Sequence, residues 1–100
     1  MGTIPDSELQ AIASKIRPIA SSYKVERIYL FGSRARCEGD QDSDYDFLVV
    51  PKDGMSAFQM CGLLIDLEEA FGSVDLVSIR SISGSFERNI INERVLVYAE

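Results

Sequence analysis

The residues Arg27-Ile28-Tyr29-Leu30-Phe31 alternate so that Ile28 and Leu30 face one way, Tyr29 and Phe31 the other, and Gly32-Ser33 stops the run. A strand that is apolar on both faces belongs in the middle of a sheet, covered on both sides. Ten residues separate Ser33 from Asp44-Tyr45-Asp46, which opens a second apolar run ending at Val50. The fold must therefore place a Gly-Ser turn and an Asp-x-Asp pair at strand boundaries.

Helical spacing surrounds these strands. Leu9, Ile12, Ala13, Ile16, Ile19, Ala20 and Tyr23 recur at three and four, predicting an amphipathic helix from about Asp6 to Ser22. Pro5 suits its first turn, Asp6 or Thr3 its cap, and Glu8 its dipole, while Pro18 predicts a kink or an early end. Ser33 to Cys37 favours a short helical turn, and Glu38 to Ser43 a polar loop. Tyr45 to Val50 reads as a strand stopped by Pro51-Lys52-Asp53-Gly54. Met55 to Phe71 reads as a helix capped by Ser56, with an apolar stripe of Phe58, Cys61, Leu64, Ile65, Leu67 and Phe71 that puts Cys61 in the core. Gly72-Ser73 ends it. A strand over Val74 to Ile79, a helix over Ser83 to Asn92 and a strand over Val95 to Tyr98 complete an α/β (α+β) order in which sheet and helices share one core.

At 100 residues, 46% apolar and 26% charged, the expectation is one globular domain over residues 1–100 with its functional core at about 25–80. The formal charge of −6 argues against general nucleic-acid binding. Five acids, Glu38, Asp40, Asp42, Asp44 and Asp46, crowd into nine residues and repel one another unless solvated or neutralised by a cation. The chain has no histidine, which excludes His-dependent triads and histidine-containing zinc sites. Cys37 and Cys61 are too far apart for a CxxC pair, and no basic region followed by an apolar core opens the sequence. A soluble cytoplasmic protein with free thiols is expected.

The chemistry concentrates around the two strand boundaries. In extended chain, Asp44 and Asp46 project to one face with Cα atoms roughly 6.5 to 7 Å apart, so both carboxylates can converge on metal. Two-metal phosphoryl transfer uses such carboxylates to hold cations against phosphate oxygens. A bare Asp-x-Asp is also what an acidic loop entering a strand looks like. Asp75 interrupts the apolar third strand, where a buried carboxylate needs a partner; beside Asp44 and Asp46 it would complete a triad that binds the catalytic metal and helps deprotonate a hydroxyl. The plainer alternative is an exposed Asp following a turn. Gly32-Ser33 leaves a strand in the geometry where free N–H groups meet phosphate. Arg34 and Arg36 can pair with phosphate oxygens or, equally, with Glu38 or Asp40.

Gly32-Ser33, ten residues, then Asp44-x-Asp46 resembles the signature of the polymerase-β-like nucleotidyltransferase superfamily, and the run GSRARCEGDQDSDYDFLV resembles its minimal nucleotidyltransferases. The likeness extends over the leading helix, the RIYLFGS strand, the Val74-Asp75-Leu76-Val77 strand and the closing INERVLVYAE. It implies a small mixed sheet flanked by helices, two Mg²⁺ ions, and transfer of a nucleoside monophosphate from a nucleoside triphosphate to a hydroxyl with release of pyrophosphate. Gly32 and Ser33 would then hold the triphosphate, with Arg34, Arg36 and Ser43 on the same nucleotide side. Asp44 and Asp46 would hold both metals, and Asp75 the catalytic one.

Many such small proteins are antitoxins paired with a HEPN-domain RNase toxin. Resemblance to that MntA-like group implies AMP transfer from ATP to a toxin tyrosine within a hetero-complex, the partner presenting the hydroxyl that so short a chain has little room to bind. A binding-only antitoxin with a relic site, or transfer to a small hydroxylated molecule such as an aminoglycoside, are the alternatives. The family usually has glycine where this chain has Cys37. A side chain in a left-handed conformation there costs on the order of 1 kcal/mol, so Gly39 is expected to absorb the turn.

Overall fold

The computed structural model describes residues 3–40 and 42–100; Met1, Gly2 and the Gln41 of the expected polar loop lie outside the described residues. Strands β1 (Val25–Phe31), β2 (Tyr45–Pro51), β3 (Val74–Ser78) and β4 (Val95–Ala99) form one mixed sheet in the order β3-β2-β1-β4. β1 runs antiparallel to both neighbours, so its two apolar faces do lie at the sheet's interior. β2 and β3 are parallel and are connected through helix α2 (Ala57–Phe71). Helices α1 (Asp6–Ala20) and α3 (Gly84–Glu93) complete the expected α/β layering.

Alternation along β1 and β2 sorts the core. Ile28, Leu30, Phe47 and Val49 pack with Ile12 and Ile16 of α1 and with Leu63 and Leu67 of α2. Tyr29, Phe31 and Leu48 pack on the opposite face with Ile90 of α3. That second face is thinly covered, since α3 spans only ten residues and leaves Phe86 and Ile91 about half exposed.

Several local expectations are corrected. Neither Asp6 nor Thr3 caps α1: extended Pro5 stands at the cap position with no side-chain cap bond, and its carbonyl accepts the Leu9 N–H at 2.9 Å. Asp6 is already the first helical residue, placed to serve the dipole rather than the cap. Pro18 is accommodated inside the helix, which ends two residues later, short of Ser22. The Ser21 and Ser22 hydroxyls donate to the Pro18 carbonyl at 3.2 and 3.3 Å, satisfying an end that the missing ladder bonds leave open.

Ser56 does cap α2, accepting the Gln59 N–H at 3.1 Å. Its buried line, however, is Leu63 and Leu67; Cys61 is exposed, as are Phe58 at 89% and Ile65 at 55%. α2 carries more apolar positions than one face accommodates, so spacing alone could not choose the buried stripe. Ile79 leaves the third strand to begin a short 3₁₀ turn, Ile79–Ser81, where the Ser78 hydroxyl accepts the Arg80 N–H. Among the described residues no helix is long and apolar enough to cross a membrane.

Candidate active site

Strand register brings the carboxylates together. Asp46 lies opposite Phe31 on β1 and beside Asp75 on parallel β3. Neighbouring strands are about 4.8 Å apart, and side chains in register share a sheet face, so Asp46 and Asp75 stand side by side on the face that α3 covers only in part. Asp44 is exposed where the loop enters β2.

Asp75 is exposed, so the expectation of a buried carboxylate in search of a partner is corrected: β3 is an edge strand, and water reaches its second residue. Asp46 is half-buried. Burial pushes its carboxyl above the usual range, and the charges of Asp75 and Asp44 push it further; Arg36 pulls the other way, and Glu93 adds to the rise.

Gly32 takes a left-handed φ of 79° and lies so close to Asp46 that a Cβ there would meet Asp46 Oδ2 at 2.1 Å. Only glycine permits this approach. From Gly32 the chain coils through a turn in which Gly32, Ser33 and Arg34 carbonyls accept the N–H groups of Arg36, Glu38 and Cys37. Cys37 itself takes the left-handed conformation, with φ 62°. Gly39 does not absorb the turn, because the 6→1 bond from the Glu38 N–H to the Ser33 carbonyl closes it before Gly39 is reached. The turn is pinned from outside by buried Ala35, whose carbonyl accepts the Ile4 N–H.

The arginines divide their work. Arg34 folds back over the loop, donating from Nε and Nη2 to the Ser43 carbonyl at 3.0 and 2.8 Å, with its guanidinium 3.9 Å from the centre of the Tyr45 ring. Ser43 accepts the Asp40 N–H through Oγ at 2.9 Å. Both residues thus close the loop that delivers Asp44. Arg36 pairs with Glu38 at 3.0 Å and with Glu93 at 2.6 Å. Ser33, by contrast, gives neither its N–H nor its hydroxyl to a hydrogen bond among the described residues.

Glu93, which sequence reasoning missed, accepts the Gly32 N–H at 3.0 Å as well as the Arg36 bond. The available signal was its place: a carboxylate in the last turn of a helix opposes the dipole and implies a compensating partner. A cavity of about 400 Å³ opens beside it, bounded by Phe31, Gly32, Arg36, Phe86, Asn89 and Glu93.

Among the described residues no three His, Cys, Asp or Glu side chains close on one point that would hold a metal ion. Magnesium does not demand such a cage, because it keeps several waters and is bound by one or two carboxylates plus substrate phosphates. Asp46 with Asp75 alongside offers that hard oxygen pair, with Asp44 at its edge. The donor set fits a divalent cation that arrives with phosphate.

Residues 14–100 match the family described as Polymerase beta, Nucleotidyltransferase. The chain belongs to this nucleotidyltransferase family. A Methanocaldococcus jannaschii protein named “Putative protein adenylyltransferase” is 38% identical over 88 residues, covering 87% of this chain and 95% of that one. Among solved structures, a toxin-antitoxin with AMP-PNP superposes with a TM-score of 0.73 at 27% identity, covering 88% of this nucleotidyltransferase and 73% of the matched chain. The complex of a tri-AMPylated Shewanella oneidensis HEPN toxin with an MNT antitoxin gives a TM-score of 0.67, also at 27% identity, covering 92% and 73%. The fold is therefore that of a nucleotidyltransferase; the relative is named a protein adenylyltransferase, and the solved neighbours are toxin-antitoxin complexes.

Proposed function

We propose that this nucleotidyltransferase moves AMP from ATP onto a hydroxyl of a partner protein, a tyrosine of a HEPN-domain toxin, and that Asp44, Asp46 and Asp75 hold Mg²⁺ for the reaction. The observation that carries this reading is the registered pair Asp46 and Asp75 directly beside the Gly32-Ser33 turn. The AMP-PNP-bound toxin-antitoxin and the AMPylated toxin with its MNT antitoxin support the nucleotide and the class of partner.

Two magnesium ions, when bound, would neutralise the triphosphate and lower the pKa of the attacking hydroxyl. The chain's own residues do the positioning. Gly32 lets the backbone come close to phosphate, and the unengaged N–H and hydroxyl of Ser33 donate to its oxygens. Arg36 adds positive charge at the nucleotide side, while Arg34 and Ser43 keep the loop closed so that Asp44 stays near Asp46. The acceptor oxygen attacks the α-phosphorus, the bond to the β-phosphate oxygen breaks, pyrophosphate leaves, and exposed Asp75 takes the hydroxyl proton. We place the protein in the reducing cytoplasm, in keeping with its two exposed free thiols.

The test is intact-mass spectrometry of a cognate HEPN partner after incubation with ATP and Mg²⁺. A mass gain of one AMP per modified tyrosine is expected with the wild type and none with Asp44→Asn or Asp46→Asn. Undiminished modification by those variants would sink the assignment. Neutralisation of the toxin by both variants, without modification, would mean that the chain acts by binding alone.

A further inference from the structure

We infer that Glu93 is a positioning residue for the phosphate side of this site, holding the Gly32-Ser33 turn in register with Asp46 from the far end of α3. The inference rests on the nucleotide reading above. Glu93 uses its two carboxylate oxygens on different partners: Oε1 accepts the Gly32 N–H at 3.0 Å and Oε2 accepts from Arg36 Nη1 at 2.6 Å. Its side chain is 23% exposed, so these bonds are better shielded than the Arg36–Glu38 pair, whose members are 41% and 64% exposed.

The position of this contact is what gives it a role. Gly32 packs without clearance against Asp46 and has the broad conformational freedom of glycine. Phe31 is the last residue of β1 paired with β2, opposite Asp46, and the turn's own first bond runs from the Arg36 N–H to the Gly32 carbonyl. By taking the Gly32 N–H, Glu93 holds the Phe31–Gly32 peptide, and the next peptide, Gly32–Ser33, is held by its carbonyl accepting the Arg36 N–H; the Ser33 N–H and hydroxyl make no hydrogen bond among the described residues. By pairing with Arg36 it ties the other end of the same turn to α3. Gly32, Arg36 and Glu93 all line the cavity of about 400 Å³, so the same carboxylate forms part of its wall.

A residue that merely stabilised the fold would lower ligand binding only as far as it lowered the folded fraction. A positioning residue acts on the phosphate contacts of a folded protein, and its amide analogue, which still accepts from Gly32, restores much of the effect. The experiment is titration calorimetry of the full chain with Mg²⁺-ATP, and separately with Mg²⁺-tripolyphosphate as a phosphate-only probe, at a temperature where circular dichroism shows each variant folded. Glu93→Ala is expected to weaken both ligands by about tenfold or more, as loss of supporting contacts around a site does, and Glu93→Gln by several-fold less. Glu93→Ala combined with Arg36→Ala should weaken them by less than the product of the single effects. Unchanged affinity in folded Glu93→Ala, or equal losses for the Ala and Gln variants, would overturn the inference while wild-type binding left the nucleotide reading standing. No binding of Mg²⁺-ATP by the wild type would overturn both.

Discussion

Asp46 is the residue on which the opposing demands meet. It is half-buried beside Gly32, and its carboxyl is raised above the ordinary 3.8 first by burial, then by Asp75 and Asp44. A raised carboxyl binds its proton more tightly in the folded state, so its contribution to stability is fully present below the unfolded value and is lost as pH rises through the folded one. Metal-free Asp46→Asn should therefore melt higher than the wild type at pH 7, with the gap closing as pH falls towards 3.8; a thermal melt series against pH checks this. Cys37 carries a second local cost, since φ 62° disfavours any side chain. Cys37→Gly should stabilise by about 0.5–1 kcal/mol, the relief being partly offset by glycine's greater freedom when unfolded, and for a domain of this size that raises Tm by about 2–8 °C. Which residues were legible follows from distance along the chain. Gly32, Asp44 and Asp46 announced themselves through a fixed local spacing, whereas Glu93 reaches Gly32 across 61 residues and leaves no periodic trace. The exposure of Asp75 stood open between two readings, because strand order, not composition, makes β3 an edge.

At the scale of elements, what needs holding is the junction of α1, β1 and α2 behind the site. Tyr23, in the link from α1 to β1, donates its hydroxyl to Asp66 of α2 at 2.6 Å, and Gly62 leaves just enough room, a Cβ there lying 3.0 Å from the phenolic oxygen. The hydrogen bond to Asp66 raises the Tyr23 pKa above 10.0, with burial and the Asp66 charge adding to it. Its stabilising effect is thus present below pH 10 and disappears as pH rises through the raised value. Tyr23→Phe should cost about 1 kcal/mol in urea unfolding at pH 7 and converge on the wild type at strongly alkaline pH. Element type and order were readable because amphipathic spacing and strand alternation are local. The ends and buried faces were less so: Pro5 displaced the side-chain caps from α1, and the surplus of apolar residues on α2 concealed that Leu63 and Leu67, not Cys61, face the core.

The whole molecule is a mixed sheet with one face sealed by α1 and α2 and the other only partly roofed by α3, and the carboxylates stand on the partly roofed face. That asymmetry leaves room for a phosphate donor and an acceptor to approach the same edge. The acidic surface, with a net charge of −6, keeps a triphosphate away unless cations accompany it, so nucleotide affinity should depend on magnesium far more than on ionic strength alone. The most direct test of the central claim uses ATP labelled in turn at the α- and the γ-phosphate, with the chain, Mg²⁺ and a cognate HEPN partner. The account predicts that only the α-label reaches the partner, and that Asp46→Asn and Asp75→Asn both abolish its transfer while remaining folded. Transfer of the γ-label, or α-label transfer undiminished in folded Asp46→Asn, would contradict it.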